Sequence, residues 1–301
     1  MRYSVVDMAK YDSLRDYLRK QDRDVIMTFS DVATVIGCNT LTDSAFIHSA
    51  WWANDRTHVQ ARAWLAAGYT AAADINTNTV TFRRFFDIYK VLEEVSKNRM
   101  YQGMFVSEGS LQFELVEMIH RLYPDYKVIA EFPYTLKSDS NSHIDIMVIT
   151  NEGKLIPIEL KSKTKEESVI INSYEIKLKT QGAANDNSWA YLEDIERLES
   201  VMKLEKGKYL IGYTLFLTND PAYLKKEVSG QYASYWIGND CKSTGLKQRV
   251  RTNRKTGERT YSDLKLTGSY IHYWKDFFPV FAVDKLTEDS CGIWYLVDEI
   301  V

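Results

Sequence analysis

Cysteine is scarce: the 301 residues hold three, Cys38, Cys241 and Cys291, far apart from one another. That excludes a disulfide-stapled scaffold and a paired-cysteine zinc site. The five histidines, His48, His58, His120, His143 and His272, include no HExxH pair, so no histidine-based zinc site is expected either. No apolar run approaches the roughly 20 residues of a membrane-spanning helix. The longest, YLIGYTLFL at 209–217, is far shorter, and the opening MRYSVVDMAKYDS lacks the apolar core of a signal peptide. These absences predict a protein of the reducing cytoplasm with no membrane partner. With 45% hydrophobic and 26% charged residues the chain is otherwise ordinary, and long enough for two domains that each bury a core.

A large excess of either charge is also missing, since the net charge is −3. A uniformly basic binder is excluded, but a local stripe of positive charge suffices to hold nucleic acid. Such a stripe runs from Lys242 to Arg259, where Lys242, Lys247, Arg249, Arg251, Arg254, Lys255 and Arg259 face the single acid Glu258. The competing reading is a solvated loop.

The texture changes along the chain. Residues 1–86 show short helical patterns: Tyr11 to Lys20, Ser30 to Gly37 with Ser30 as N-cap, a third from Thr42 through SAFIHSAWW, and His58 to Ala67 ended by Gly68. YTAAADINTNTVTFRR then reads as a β-hairpin. Helices followed by a hairpin suggest a small, mainly helical, winged-helix-like domain with one helix beyond the simplest plan. Residues 87–106 read as a linker helix with a turn at Gly103. From 107 to 301 helices and strands alternate: a helix Glu108–Leu122, strands at Lys127–Pro133, His143–Thr150 and Leu155–Lys161, a helix from about Asp186 to Lys203, and a strand Tyr209–Leu217. The expected fold class is α/β or α+β, with a mixed sheet flanked by helices.

The informative stretch is HIDIMVITNEGKLIPIELKSK. Alternation along a strand puts Glu159 and Lys161 on one face, opposite Ile158 and Leu160. A hairpin through Asn151, Glu152 and Gly153 brings Asp145 beside Glu159, so two carboxylates and a lysine converge. Like charges so close call for a cation between them. Oxygen donors without cysteine or histidine suit Mg²⁺, with Mn²⁺ as substitute, and such an ion bridges to phosphate. Lys161 is then placed to orient or help deprotonate the attacking water, which is the chemistry of phosphodiester hydrolysis. Acid-x-Lys triplets recur elsewhere in the chain, at Asp125 and Asp263 for example, and only Glu159 lies in an apolar strand downstream of a second one carrying a lone acid. The competing reading is a salt bridge at a strand end.

On these residues the chain resembles the PD-(D/E)XK nuclease superfamily, with Asp145, Glu159 and Lys161 in the positions of its signature. It looks closest to the bacterial type II restriction-endonuclease-like branch, through SEGSLQFELVEMIHRLYPDYKVIAEFPY, HIDIMV, IPIELKSKT and TQGAANDNSWAYLEDIERLE. The resemblance covers about residues 107–205 well and the remainder more loosely; Ile144 replaces the proline before Asp145. It implies a restriction-endonuclease-like sheet and Mg²⁺-dependent cleavage of double-stranded DNA, usually by a homodimer. Glu108, at the centre of the helical stripe of Leu111, Leu115, Ile119 and Leu122, is expected to bind metal directly or through water, while Glu114 and Glu117 read as solvated. A helix acid satisfying the dipole is the alternative. Gln181 resembles a glutamine that assists the site in some branches. His143, on the strand face of Asp145, is either a phosphate contact or a half-buried structural residue.

A nuclease must also hold its substrate. Lys247, Arg249, Arg251, Arg254 and Lys255, with NRKTGE as a hairpin tip, form the first candidate clamp. In the N-terminal domain, Asn54, Arg56, Gln60, Arg83 and Arg84 are candidate readers of sequence or base modification, whereas Trp51 and Trp52 read as core. The alternatives are a DNA-binding or regulatory module with a non-cleaving nuclease-like scaffold, and a structure-selective or RNA-directed nuclease.

Overall fold

The computed structural model describes residues 5–21, 23–55, 57–99, 105–136, 139–171, 174–204, 207–252, 255–278 and 292–301. Arg56, Gly103, Arg254 and Cys291 lie outside them. The fold is α+β: a mixed sheet with helices, divided into two compact units. One comprises residues 1–88, 207–211 and 301, the other residues 89–206 and 212–300. No helix among the described residues is long and apolar enough to cross a membrane.

The first unit runs α1 (Val5–Arg19), β1 (Val25–Thr28), α2 (Phe29–Val35), α3 (Asp43–Ile47), a 3-10 turn Ser49–Trp52, α4 (Val59–Ala66), β2 (Tyr69–Asp74) and β3 (Thr79–Arg84). The sheet order is β1-β3-β2, antiparallel throughout. The four-residue β1 escapes sequence patterning because it is too short to show alternation. Helix α2 is capped by Thr28 rather than Ser30. Asp31 stands three residues after Thr28 and returns its hydrogen bond, closing a capping box that Ser30, with Ala33 in that position, does not form. The third predicted helix breaks at His48, whose backbone is extended. Phe29, Trp52 and Trp64 stack in the core, Trp52 lying 4.7 Å from Phe29 and 5.9 Å from Trp64. Burying each such ring contributes roughly 1.5–3 kcal/mol.

The second unit contains α5 (Ile88–Arg99, from Tyr89 onward), α6 (Glu108–Leu122), β4 (Lys127–Leu136), β5 (Asp139–Ile149), β6 (Leu155–Lys163), β7 (Glu167–Ile171), β8 (Tyr174–Leu178), α7 (Ala184–Leu204), β9 (Gly212–Thr218), β10 (Lys242–Thr252), β11 (Arg259–Ile271), β12 (Lys275–Asp276) and β13 (Trp294–Ile300). Its main sheet has the order β12-β13-β9-β6-β5-β4. Among the described residues only β6 and β9 pair in parallel, and the connection between them passes through the β7–β8 hairpin and α7. Helix α6 packs on β4, β5 and β6, and α7 on β6, β9, β13 and β11. Strand β9 begins at Gly212 rather than Tyr209. A Cβ at Gly212 would lie 2.6 Å from Met202 Sδ, so the chain joins the sheet where a side chain is missing and α7 comes closest.

Candidate active site

Strands β5 and β6 pair from Ile149↔Leu155 to Ile146↔Ile158 and then part. The turn between them is closed by Gly153 N–H to Thr150 O at 2.8 Å, with Gly153 in the left-handed region at φ 71°. One step past the last pair, Asp145 faces Glu159. From that point β6 continues along β9 alone, and its amide groups toward β5 lose their strand partner. Carboxylates take over that role: Asp145 Oδ2 accepts from Leu160 N at 2.5 Å, and Glu108 Oε2 from Ser162 N at 2.8 Å. A buried amide left unpaired is costly, so the divergence itself demands acceptors here.

Glu159 is 2% exposed and held from α7. Arg197 donates through Nε to Oε1 at 3.0 Å and through Nη2 to Oε2 at 2.7 Å, and Nη2 also reaches Asp194 Oδ1 at 2.7 Å. The other Asp194 oxygen pairs with Lys161 Nζ at 2.8 Å. Burial pushes the carboxyls of Asp145, Glu159 and Asp194 up, against the hydrogen bond from Leu160 and the attraction of Arg197 and Lys161 respectively. Burial alone would lower Lys161, but Asp194 outweighs it and the ammonium is held above its ordinary value. Lys161 is thus held as a hydrogen-bond donor to Asp194. Asp194 and Arg197 are residues that sequence reasoning passed over, although both stand in DIERLE.

Glu108 occupies the first turn of α6, behind the N-cap Ser107, and its carboxylate lies 3.7 Å from Lys163. Gln112, one turn on, is a third residue passed over. Its Nε2 donates to Asp145 O at 2.7 Å and to Glu131 Oε1 at 2.8 Å. The β4 ladder lapses there without a change of register: Glu131, opposite Asp145, has φ 50° and is skipped by the pairing. Asp145 is thus where both neighbouring ladders fail and a side-chain amide replaces the missing main-chain donor. Gln181 is exposed and contributes through its backbone, N–H to Thr164 O at 2.9 Å; its side chain makes no hydrogen bond to the acids among the described residues. His143 is exposed rather than half-buried. Glu114 is half-buried rather than fully solvated, and it pairs with the buried Arg99.

The donor set fits a hard cation. Glu108, Asp145, Glu159 and Asp194 outnumber Lys161, Lys163 and Arg197, and the carboxyls of Asp145 and Glu159 lie close enough to act on each other, an arrangement that a proton or a cation would relieve. Among the described residues no three His, Cys, Asp or Glu side chains are grouped to hold a metal ion. A cation here would take two carboxylates and keep several waters, as Mg²⁺ prefers, with Glu108 one residue further along the β6 edge.

The candidate nucleic-acid contacts divide. Strand alternation turns Lys247 and Arg249 inward: Lys247 Nζ donates to Ser234 O at 2.6 Å, and Arg249, 5% exposed, pairs with Asp186 over the Trp189 ring. Both leave the clamp. Arg251, Lys255 and Arg259 are exposed. In the first unit Asn54 and Gln60 are committed internally, Asn54 to Ala71 and Trp64, Gln60 to Trp51 O at 2.8 Å. Arg84 pairs with Asp87 and with Gln21 O, whereas Arg83 is exposed. These groups face inward because the open edge of β2 and the loop before α4 must satisfy their own backbone before any ligand.

Buried beside the sheet, His272 lies 2.7 Å from Asp298 and 2.9 Å from Ser243, and Tyr191 joins Asp298 at 3.0 Å. The order Ser–His–Asp resembles a nucleophile relay, but all three are sealed from solvent. The network fastens the β10–β11 hairpin to β13 and α7.

A sequence family described as a domain of unknown function (DUF7662) matches residues 11–85, about a quarter of the chain. No curated protein and no solved structure matches the chain.

Proposed function

We propose that the protein is a Mg²⁺-dependent endonuclease of the PD-(D/E)XK kind that hydrolyses phosphodiester bonds of double-stranded DNA in the cytoplasm. The observation that carries this reading is the meeting of Asp145 and Glu159 where β5 and β6 part, with Lys161 joined to Glu159 through Asp194 and Arg197. Asp145 and Glu159 would hold the cation, which when bound polarises the phosphate and acidifies a water. Lys161, kept cationic by Asp194, donates to the attacking water or to an oxygen on phosphorus and stabilises charge growing there. Gln112 steadies the Asp145 segment and Glu108 the edge of β6. In the first unit, the order of helices with a β1-β3-β2 sheet supports a winged-helix-like reader. Its exposed Arg83 is the remaining described candidate of the N-terminal set. A homodimer would supply the two sites that a double-strand cut needs.

The second reading, a DNA-binding scaffold that does not cut, draws on the internal partners that each carboxylate already has. Plasmid and phage DNA, methylated and unmethylated, incubated with Mg²⁺ or with EDTA separates the two. Metal-dependent discrete fragments support the enzyme, and a gel shift without nicking supports the scaffold. Lys161→Ala is expected to abolish cutting and leave DNA binding within about twofold, as for a group acting only in the transition state; retained cleavage discards the site.

A further inference from the structure

Glu159, Arg197, Asp194 and Lys161 form an unbroken chain of contacts at 2.7–3.0 Å. Its regularity follows from two periods: residues two apart share a strand face, and residues three apart share a helix face. Resting on the nuclease reading, we propose that Asp194 and Arg197 are positioning residues of the same site. Arg197 is the resident counter-ion of Glu159 and competes with a divalent cation for that carboxylate, while Asp194 fixes the Lys161 ammonium. Both oxygens of Glu159 accept from the one guanidinium, and with 2% of the residue exposed no solvent is on hand to neutralise it. A cation arriving at Glu159 therefore meets a positive charge already in contact. Two effects oppose each other. Orientation of a ligand by an outer partner is worth about 10–100-fold in metal affinity. Repulsion is larger, since even two unit charges about 4 Å apart at the effective permittivity of a protein surface correspond to roughly a thousandfold. Repulsion sets the sign, and removing the guanidinium tightens metal binding.

The test uses the full chain and Mn²⁺, with free ion counted by electron paramagnetic resonance. Arg197→Gln is expected to bind Mn²⁺ at least about tenfold more tightly than the wild type, and Arg197→Lys, which keeps the charge but loses the fork, about two- to fivefold more tightly. Thermal unfolding with and without Mn²⁺ gives a second readout, the Gln variant gaining more from the ion than the wild type. Should the Gln variant fail to fold without metal, recovery in Mn²⁺ supports the competition. Equal or weaker Mn²⁺ binding in both variants overturns it. Asp194→Asn is expected to lower kcat about 10–100-fold with KM for DNA unchanged and with partial recovery in Asp194→Glu; an unchanged kcat overturns the Lys161 tether. A wild type that binds Mn²⁺ and never cuts overturns the nuclease reading, whereas the order of Mn²⁺ affinities tests the competition regardless of cutting.

Discussion

Asn54 separates a structural from a reading role most cleanly. Strand β2 is an edge of its sheet, and the outward amide and carbonyl of Ala71 find no strand to pair with. The Asn54 side chain substitutes for one residue of that absent strand: Oδ1 accepts from Ala71 N at 2.7 Å and Nδ2 donates to Ala71 O at 3.0 Å. The same Oδ1 accepts from Trp64 Nε1 at 2.9 Å. At about 0.5–1.5 kcal/mol for each hydrogen bond, Asn54→Ala should cost roughly 1.5–4.5 kcal/mol, toward the upper half because Ala71 and Trp64 are left buried without partners. Asn54→Asp should cost nearly as much, since it keeps the acceptor but sets an oxygen against the Ala71 carbonyl. Urea unfolding of the full chain followed by tryptophan fluorescence reports the loss, as Trp51, Trp52 and Trp64 lie in this unit. A variant as stable as the wild type within about 0.5 kcal/mol, yet altered in DNA selectivity, would refute the structural assignment and return Asn54 to base reading.

Gly68 has φ 81°, and a Cβ there would lie 2.2 Å from Phe86 O, so Gly68→Ala should destabilise by more than about 1 kcal/mol; an unchanged urea midpoint would contradict the stated close approach. Thr28 holds the Asp31 carboxyl below its ordinary value through its hydroxyl and its backbone N–H. A lowered folded value contributes stability above the ordinary carboxylate range that is lost as pH falls through the folded value, so Thr28→Ala should flatten the acid limb of the stability profile. Lys247→Met replaces a buried ammonium by a side chain of similar volume, and is expected to change stability by less than about 1.5 kcal/mol and DNA affinity not at all. Arg259→Ala should lower the salt slope of DNA binding by about one unit. Weakened DNA binding by Lys247→Met would restore the clamp as first drawn.

The basic run illustrates where patterning stops. Seven bases between Lys242 and Arg259 are visible in the chain, and a period of two already implies that Lys247 and Arg249 share one face. That this face is the inner one depends on Asp186 and Trp189, which come from α7 more than 50 residues earlier in the numbering. In the same way Glu108 could be placed by its helical stripe because Leu111 and Leu115 lie one and two turns away. Its acceptance of Ser162 N depends on where β5 leaves β6, which no stripe encodes. Gln112 and Asp194 were in plain view as residue types, yet what each one holds lies on another element.

By itself the sequence determined what short-range chemistry can: the alternation that aligns Glu159 with Lys161 and the tight turn that returns β6 to Asp145, because each involves residues within about one hairpin of each other. Only the tertiary structure decided that Arg197 pairs with Glu159, that Asp194 pairs with Lys161, and that half of the supposed contact residues face inward. Those outcomes depend on which elements pack together, and desolvation there leaves each buried charge to the nearest opposite charge however distant in the chain.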